Sequence, residues 1–164
     1  MYEHIEIGGF TTHPIGKALS NFHPRAFVFD GVRCASFEGL IQALKCPDQT
    51  RQREICQLSG KEAWGAGQEW NVWKDNQTLH WQGDTFSRES RGYMLLIERI
   101  YDAIYEQDET FKQHLLALGP ANIHHSIGRS GQSKTTLIEA EMVSNIQRLR
   151  VRALYETLEV LWKR

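Results

Sequence analysis

The sequence predicts a mainly helical α+β domain with a small antiparallel sheet. Three observations carry that prediction. Apolar residues recur at threes and fours through most of the second half of the chain, which is the period of a helix with one buried face. One Asp-Gly pair lies between two short alternating runs, the pattern of a two-residue hairpin. Other strand-like runs are too few and too short for an all-β fold. The chain has 164 residues, 41% of them hydrophobic and 24% charged, enough to bury one sizeable core. No repeat, low-complexity tract or Pro/Gly-rich linker divides it, so residues 1–164 are expected to form a single domain.

His4 to Ile7 reads as a short strand. Phe27-Val28-Phe29-Asp30-Gly31-Val32-Arg33-Cys34 reads as the hairpin, with Asp30-Gly31 in a type I′ turn that needs positive φ at both central residues. Ser36 is the expected N-cap of a helix over Phe37 to Lys45, and Pro47 stops it. Thr78 to Gln82 supplies another short strand. From Ser87 or Arg88 a long helix carries Tyr93, Leu96, Ile97, Ile100, Tyr101 and Ile104 at helical spacing. Phe111 to Leu118 continues it after a break and ends at Gly119-Pro120. The clearest helix runs from Lys134 to Trp162, with Ile138, Met142, Ile146, Leu149, Ala153 and Leu161 on one face and Arg148, Arg152 and Glu159 on the other.

Composition excludes several function classes. A net charge of −1 argues against a basic sleeve on nucleic acid, though not against gripping one nucleotide in a local pocket. No apolar run approaches the roughly 20 residues of a membrane span, and Met1-Tyr2-Glu3-His4 lacks the pattern of a signal peptide. A cytoplasmic protein with no membrane partner is expected. Cys34, Cys46 and Cys56 form no close C-x2-C pair and read as reduced, mostly buried thiols. Seven histidines offer no H-E-x-x-H, and the adjacent His124 and His125 would point apart, so no metal is expected. A serine hydrolase lacks its G-x-S-x-G.

Glu38, Gln42 and Lys45 are spaced i, i+4, i+7, just under two helical turns, so all three leave one face. Phe37, Leu40, Ile41 and Leu44 occupy the remainder. Such a helix is expected to be buried on most sides with its polar stripe on a cleft. There an amine can attack an electrophilic carbon while a carboxylate moves protons. The plain alternative is a solvated Glu/Gln/Lys face.

Gly128-Arg129-Ser130-Gly131-Gln132-Ser133-Lys134-Thr135 falls one residue short of G-x-x-x-x-G-K-[ST], with Ser133 in place of the second glycine. The preceding Ala121 to Ile127 does not read as a buried strand, which weakens a phosphate-loop ATPase using Lys134. A weaker version is a loop of Gly128, Arg129 and Ser130 opening a helix at Lys134 and holding a phosphate on free amides. An ordinary capped loop fits equally. Trp64, Trp70, Trp73 and Trp81 cluster in the middle of the chain, most of them expected in the core and one lining a pocket.

Leu19-Ser20-Asn21-Phe22-His23-Pro24, Phe27, Asp30-Gly31, Ser36-x-Glu38 and Gln42-Ala43-x-Lys45 together resemble the signature of the NADAR superfamily, the YbiA-like N-glycosidases and ADP-ribosyl hydrolases. The resemblance spans Leu19 to Lys45 and implies a YbiA-like fold without a cofactor. It also implies cleavage of the bond between a ribose C1 and a nitrogen. Substrates of that kind are phosphoribosylamino-pyrimidines of riboflavin synthesis and ADP-ribose on guanine. By position, Lys45 would be the Schiff-base nucleophile and Glu38 the proton carrier. Asn21 and Phe22 would line the ribose pocket, with Gln42 beside them. Where many members carry His-x-Tyr, this chain has Gly39-Leu40-Ile41. Their late D-x-x-W-G-x-G segment corresponds to His124 to Thr135, which has neither Trp nor Asp. Trp64-Gly65-Ala66-Gly67 looks similar to that segment but stands far earlier in the chain.

The expected partner is a small-molecule N-riboside or an ADP-ribosylated substrate, with ADP-ribosylated nucleic acid among the candidates. The alternative is a non-catalytic module that binds ADP-ribose or NAD in the same pocket. The leaving base, the sugar extension and the oligomeric state stay open.

Overall fold

The computed structural model describes residues 3–163, apart from the surroundings of Gly128. β1 (His4–Glu6) and α1 (Pro14–Ala18) lead into the hairpin β2 (Phe27–Phe29) and β3 (Val32–Cys34). Four short helices follow: α2 (Phe37–Ala43), α3 (Gln49–Cys56), α4 (Gly60–Gln68) and α5 (Trp73–Asn76). A second hairpin, β4 (Thr78–Trp81) and β5 (Asp84–Ser87), precedes α6 (Arg91–Gln107) and α7 (Glu109–Ala117). β6 (Asn122–His124), two 3-10 turns (Ser126–Ser130 and Gln132–Lys134) and the long α8 (Glu139–Trp162) complete the described chain. The α+β expectation holds.

The first hairpin forms as its sequence predicts. Asp30 and Gly31 take φ of 46° and 79°, and Phe27, Phe29, Val32 and Cys34 point into the core while Val28 and Arg33 point out. The second hairpin turns at Gln82-Gly83, with φ of 48° and 95°. Sequence reading found only its first strand, because Asp84-Thr85-Phe86-Ser87 has too little apolar alternation to announce a partner. The sheet expectation needs one correction. Besides the two antiparallel ladders, β1 and β6 pair in parallel, with Ile5 opposite Ile123. Part of the Ala121 to Ile127 segment is therefore a strand. One buried isoleucine flanked by polar residues carries no visible period, and the pairing depends on a residue some 118 positions away.

Helix α2 is the centre of the molecule, and every one of its residues is buried. The Ser36 hydroxyl accepts the Gly39 N–H at 2.9 Å and donates to the Leu58 carbonyl at 2.9 Å, capping α2 and tying it to the chain after α3. A Cβ on Gly39 would lie 2.5 Å from that same carbonyl oxygen, so this close approach requires glycine. The helix ends at Ala43, and Lys45 sits in the following turn.

Two other boundaries move. α6 begins at Arg91, capped by Ser90, and not at Ser87 or Arg88. Ser87 ends β5, and the Arg88 side chain is fully buried. Its guanidinium makes two bonds of 2.9 and 2.8 Å to the Glu141 carboxylate and a third of 2.8 Å to the Thr135 carbonyl. Glu141 also accepts the Ile138 N–H at 2.9 Å. That network holds 135–138 extended, so α8 starts at Glu139 rather than Lys134. Met142, Ile146, Leu149 and Ala153 reach the core as expected, whereas Leu161 is exposed.

Trp73 and Trp81 are core residues, and the three cysteines are free and buried. No helix among the described residues is long and apolar enough to cross a membrane.

Candidate functional site

The polar stripe of α2 faces a cleft of about 620 Å³. Glu38, Gln42 and Lys45 all line it, although they are only 5%, 5% and 6% exposed. The Glu38 carboxylate accepts a 2.7 Å hydrogen bond from the Gln42 amide. Burial pushes its pKa up to about 7, against the opposing pull of that bond and of the Lys45 cation. Burial likewise lowers the Lys45 amine to about 8, opposed by Glu38 and assisted by the nearby Lys74 cation. No ion pair of 4.0 Å or less joins Glu38 to Lys45 among the described residues. Acid and amine thus share one cleft, both displaced toward neutrality by desolvation.

Gln42 is held in turn by Gly67 on α4. A Cβ there would lie 1.8 Å from the Gln42 amide oxygen, so only glycine leaves room for the amide. Gly67→Ala is expected to displace Gln42 and cost about 1–3 kcal/mol of stability, seen as a lower midpoint in thermal unfolding. Loss of the bond from Gln42 removes a stabiliser of the ionised carboxylate, so the Glu38 pKa moves further up.

Asn21 and Phe22 line the cleft beside α2, and the Asn21 carbonyl accepts the Glu38 N–H at 3.0 Å. Phe22 packs near Phe10, ring centroids 6.2 Å apart. Ser130 lines the cleft from the far side of the chain. Its neighbour Arg129 is not part of the lining. The Arg129 guanidinium is 60% exposed and pairs with Glu139 at 2.9 Å. Gly128 falls in the same 3-10 turn, but its surroundings lie outside the described residues. The phosphate loop opening a helix at Lys134 is not built. Two 3-10 turns and an extended segment precede the α-helix, so no helix N-terminus stands there.

Sequence reading missed several cleft residues. His125 is buried, and its Nδ1 lies 2.6 Å from the Ile7 carbonyl oxygen. A carbonyl only accepts, so Nδ1 carries the proton, and in that tautomer Nε2 is the acceptor. His124 turns the other way, to Glu6 at 3.0 Å. The pair does point apart, and that divergence is what sends one ring to the cleft. Lys61 and Lys74 also line it, joined by Lys134, the lysine of the near phosphate-loop pattern; each comes from a different element, and none of them has an ion-pair partner among the described residues. With Lys45, four amines face one buried carboxyl group. No spacing could announce a cluster assembled across 61–134. Trp64, 52% exposed, and Gly65 add a wall from α4. The Trp-Gly segment too early in the sequence is thus on the cleft in space. Gln42 Oε1, Asn71 Oδ1 and Trp73 Nε1, all on cleft residues, are buried without a protein partner.

Among the described residues no group of three His, Cys, Asp or Glu side chains is placed to hold a metal ion. Residues 13–151 match the family described as Bacteriophage protein GP30.3. The chain is 37% identical over 135 residues to the uncharacterized 17.1 kDa protein of the Gp30-rIII intergenic region of Enterobacteria phage T4. That match covers 81% of this chain and 88% of the phage protein. The fold is similar to the NMR structure of the E. coli protein YbiA, with a TM-score of 0.60 and 20% identity. It covers 97% of this chain and 90% of that one.

Proposed function

The chain belongs to the bacteriophage protein GP30.3 family, and on that footing we propose that its cleft hydrolyses the bond between a ribose C1 and the nitrogen of a base or amine. The observation that carries this reading is the pairing of Glu38 on α2 with Lys45 in the turn that follows it, each buried and each shifted toward neutrality. The likeness of Leu19 to Lys45 to the NADAR signature supports it, as does the YbiA-like fold. The sugar carries phosphate, as ribose phosphate or ADP-ribose. Lys61, Lys74 and Lys134 bring cationic charge to a cleft whose single acidic residue among the described residues is Glu38. A volume of about 620 Å³ suits a nucleotide-sized ligand, and Trp64 and Phe22 offer faces for stacking.

The neutral Lys45 amine attacks C1, and the C1–N bond breaks with its electron pair passing to the leaving nitrogen. Glu38 in its acid form gives that nitrogen a proton. The attached Lys45 nitrogen then loses a proton to the Glu38 carboxylate, and the ring opens at the sugar oxygen to a Schiff base. Water adds to C1, the lysine departs, and the sugar aldehyde closes again to ribose. The sum is one N-riboside plus one water to ribose plus free base. His125 Nε2 accepts a hydrogen bond from a sugar hydroxyl.

The test is release of free base from phosphoribosylamino-pyrimidines and from ADP-ribosylated guanine, followed by chromatography across pH. The productive pair holds one proton, on Glu38, with Lys45 neutral. Activity is therefore expected to fall below about pH 7 as both groups protonate and above about pH 8 as both lose protons, giving a narrow bell. Tight binding of ADP-ribose without turnover of any N-riboside favours the binding-module alternative instead.

A further inference from the structure

Helix α8 is apolar on two opposite faces. Met142, Ile146, Leu149 and Ala153 bury one face in the core. Val151, Leu154, Tyr155, Leu158, Leu161 and Trp162 are 48%, 47%, 67%, 60%, 61% and 91% exposed. At 100° per residue these six fall within an arc of about 120° on the side away from the core. Val151, Leu154, Leu158 and Leu161 follow the three-four spacing of a helix-pairing seam, and the two aromatic residues widen it. Beyond Ala153 the helix loses its own core contacts, and residues 157–163 are exposed on all sides. A helical end of that length is marginal in water unless packed.

We propose that this stripe is a homodimer interface, in which two copies of the chain pair their α8 helices about a two-fold axis. The area argues for a second copy. Six side chains at these exposures present about 600–700 Å² per chain, close to the roughly 800 Å² per partner of a standard stable interface. The pattern argues for a like-with-like contact. The other exposed large apolar residues are Phe10, Trp64 and Ile127 on the cleft lining, Val160 on the opposite side of α8, and the scattered Val28, Val72 and Met94-Leu95. Among the described residues no second strip of matching length exists for a head-to-tail contact, so the surface that fits the stripe is the stripe itself. None of the six stripe residues lines the cleft.

Sedimentation equilibrium over a concentration series reads the result. The full chain is expected at twice its 19.0 kDa mass, and Leu158→Glu with Leu161→Glu is expected to weaken the dimer at least tenfold. Val160→Glu is the control. Val160 is 55% exposed on the same turn but points away from the stripe, and this variant should stay dimeric. Circular dichroism confirms that each variant folds. A wild-type chain that stays monomeric at every concentration overturns the proposal. So does dissociation by Val160→Glu, or a dimer that survives the double substitution with its helical content intact.

Discussion

Lys45→Met is expected to abolish turnover of N-ribosides, by at least about a thousandfold for loss of a covalent nucleophile, while making the protein more stable. A purely structural lysine would give the opposite sign on stability. Lys45 is held at about 8 instead of its ordinary 10.5, so its charged form is disfavoured in the folded state. That cost is full below about pH 8 and fades as pH rises toward 10.5. Taken alone it is worth up to about 3 kcal/mol at neutral pH. Removing the cation also withdraws its favourable field from the ionised part of Glu38. The net gain expected near pH 7 is about 1–2 kcal/mol, or roughly 3–6 °C in thermal midpoint. Thermal unfolding at pH 7 and again near pH 10.5 checks the sign, because the gain should shrink at the higher pH. Glu38 bears a related cost with reversed pH dependence. Its stabilising protonated form is complete below about 4.5 and is lost as pH rises through about 7, so Glu38→Gln also stabilises at neutral pH and above.

Arg88→Met is expected to destabilise the fold by about 3–5 kcal/mol, read as a lower midpoint in urea at unchanged slope. Arg88 is fully buried, with its guanidinium 4.9 Å from the centre of the Tyr93 ring. Its substitution strands the Glu141 carboxylate, whose side chain is 11% exposed, and leaves the Thr135 carbonyl without its partner. Loss of the guanidinium also frees Thr135, Thr136 and Leu137, which form part of the cleft wall. KM should therefore rise more than kcat falls. Adding Glu141→Leu removes the stranded charge and should restore much of the stability. A pair contributing only through packing would not show that recovery.

How far the sequence revealed the molecule follows from how local each signal is. The Asp30-Gly31 turn, the Ser36 cap and the Glu38-Gln42-Lys45 stripe are contained within a few residues each; the first two formed as read, and the stripe reaches the cleft with Lys45 in the turn after α2 rather than on the helix. The core face of α8 was legible for the same reason. Its start was not, because the buried ion pair from Arg88, some 53 residues away, keeps 135–138 from joining the helix. Helix α4 was invisible for another reason. Gly60, Gly65 and Gly67 lower its intrinsic helix propensity, and Gly67 is needed there for the space it gives Gln42. The cleft was half legible. Glu38, Gln42 and Lys45 declared themselves by spacing, and Asn21 and Phe22 by the resemblance of Leu19 to Lys45 to the NADAR signature. His125 and the three additional lysines arrive from elements that only the tertiary fold brings together. Arg129 looked like a phosphate ligand by its glycine-rich context, yet Glu139 ten residues on claims its guanidinium.

The most direct measurement is borohydride trapping. The protein is mixed with ADP-ribose or, separately, with ribose 5-phosphate, reduced, and weighed intact before peptide mapping. A reduced sugar adduct on Lys45 is the expected result, and its mass tells which sugar the cleft accepts. It should be absent from Lys45→Met and should persist in Glu38→Gln at a slower rate. An adduct on Lys61, Lys74 or Lys134 alone, or turnover of an N-riboside that leaves Lys45 unmodified and is unaffected by Lys45→Met, contradicts Lys45 as the nucleophile.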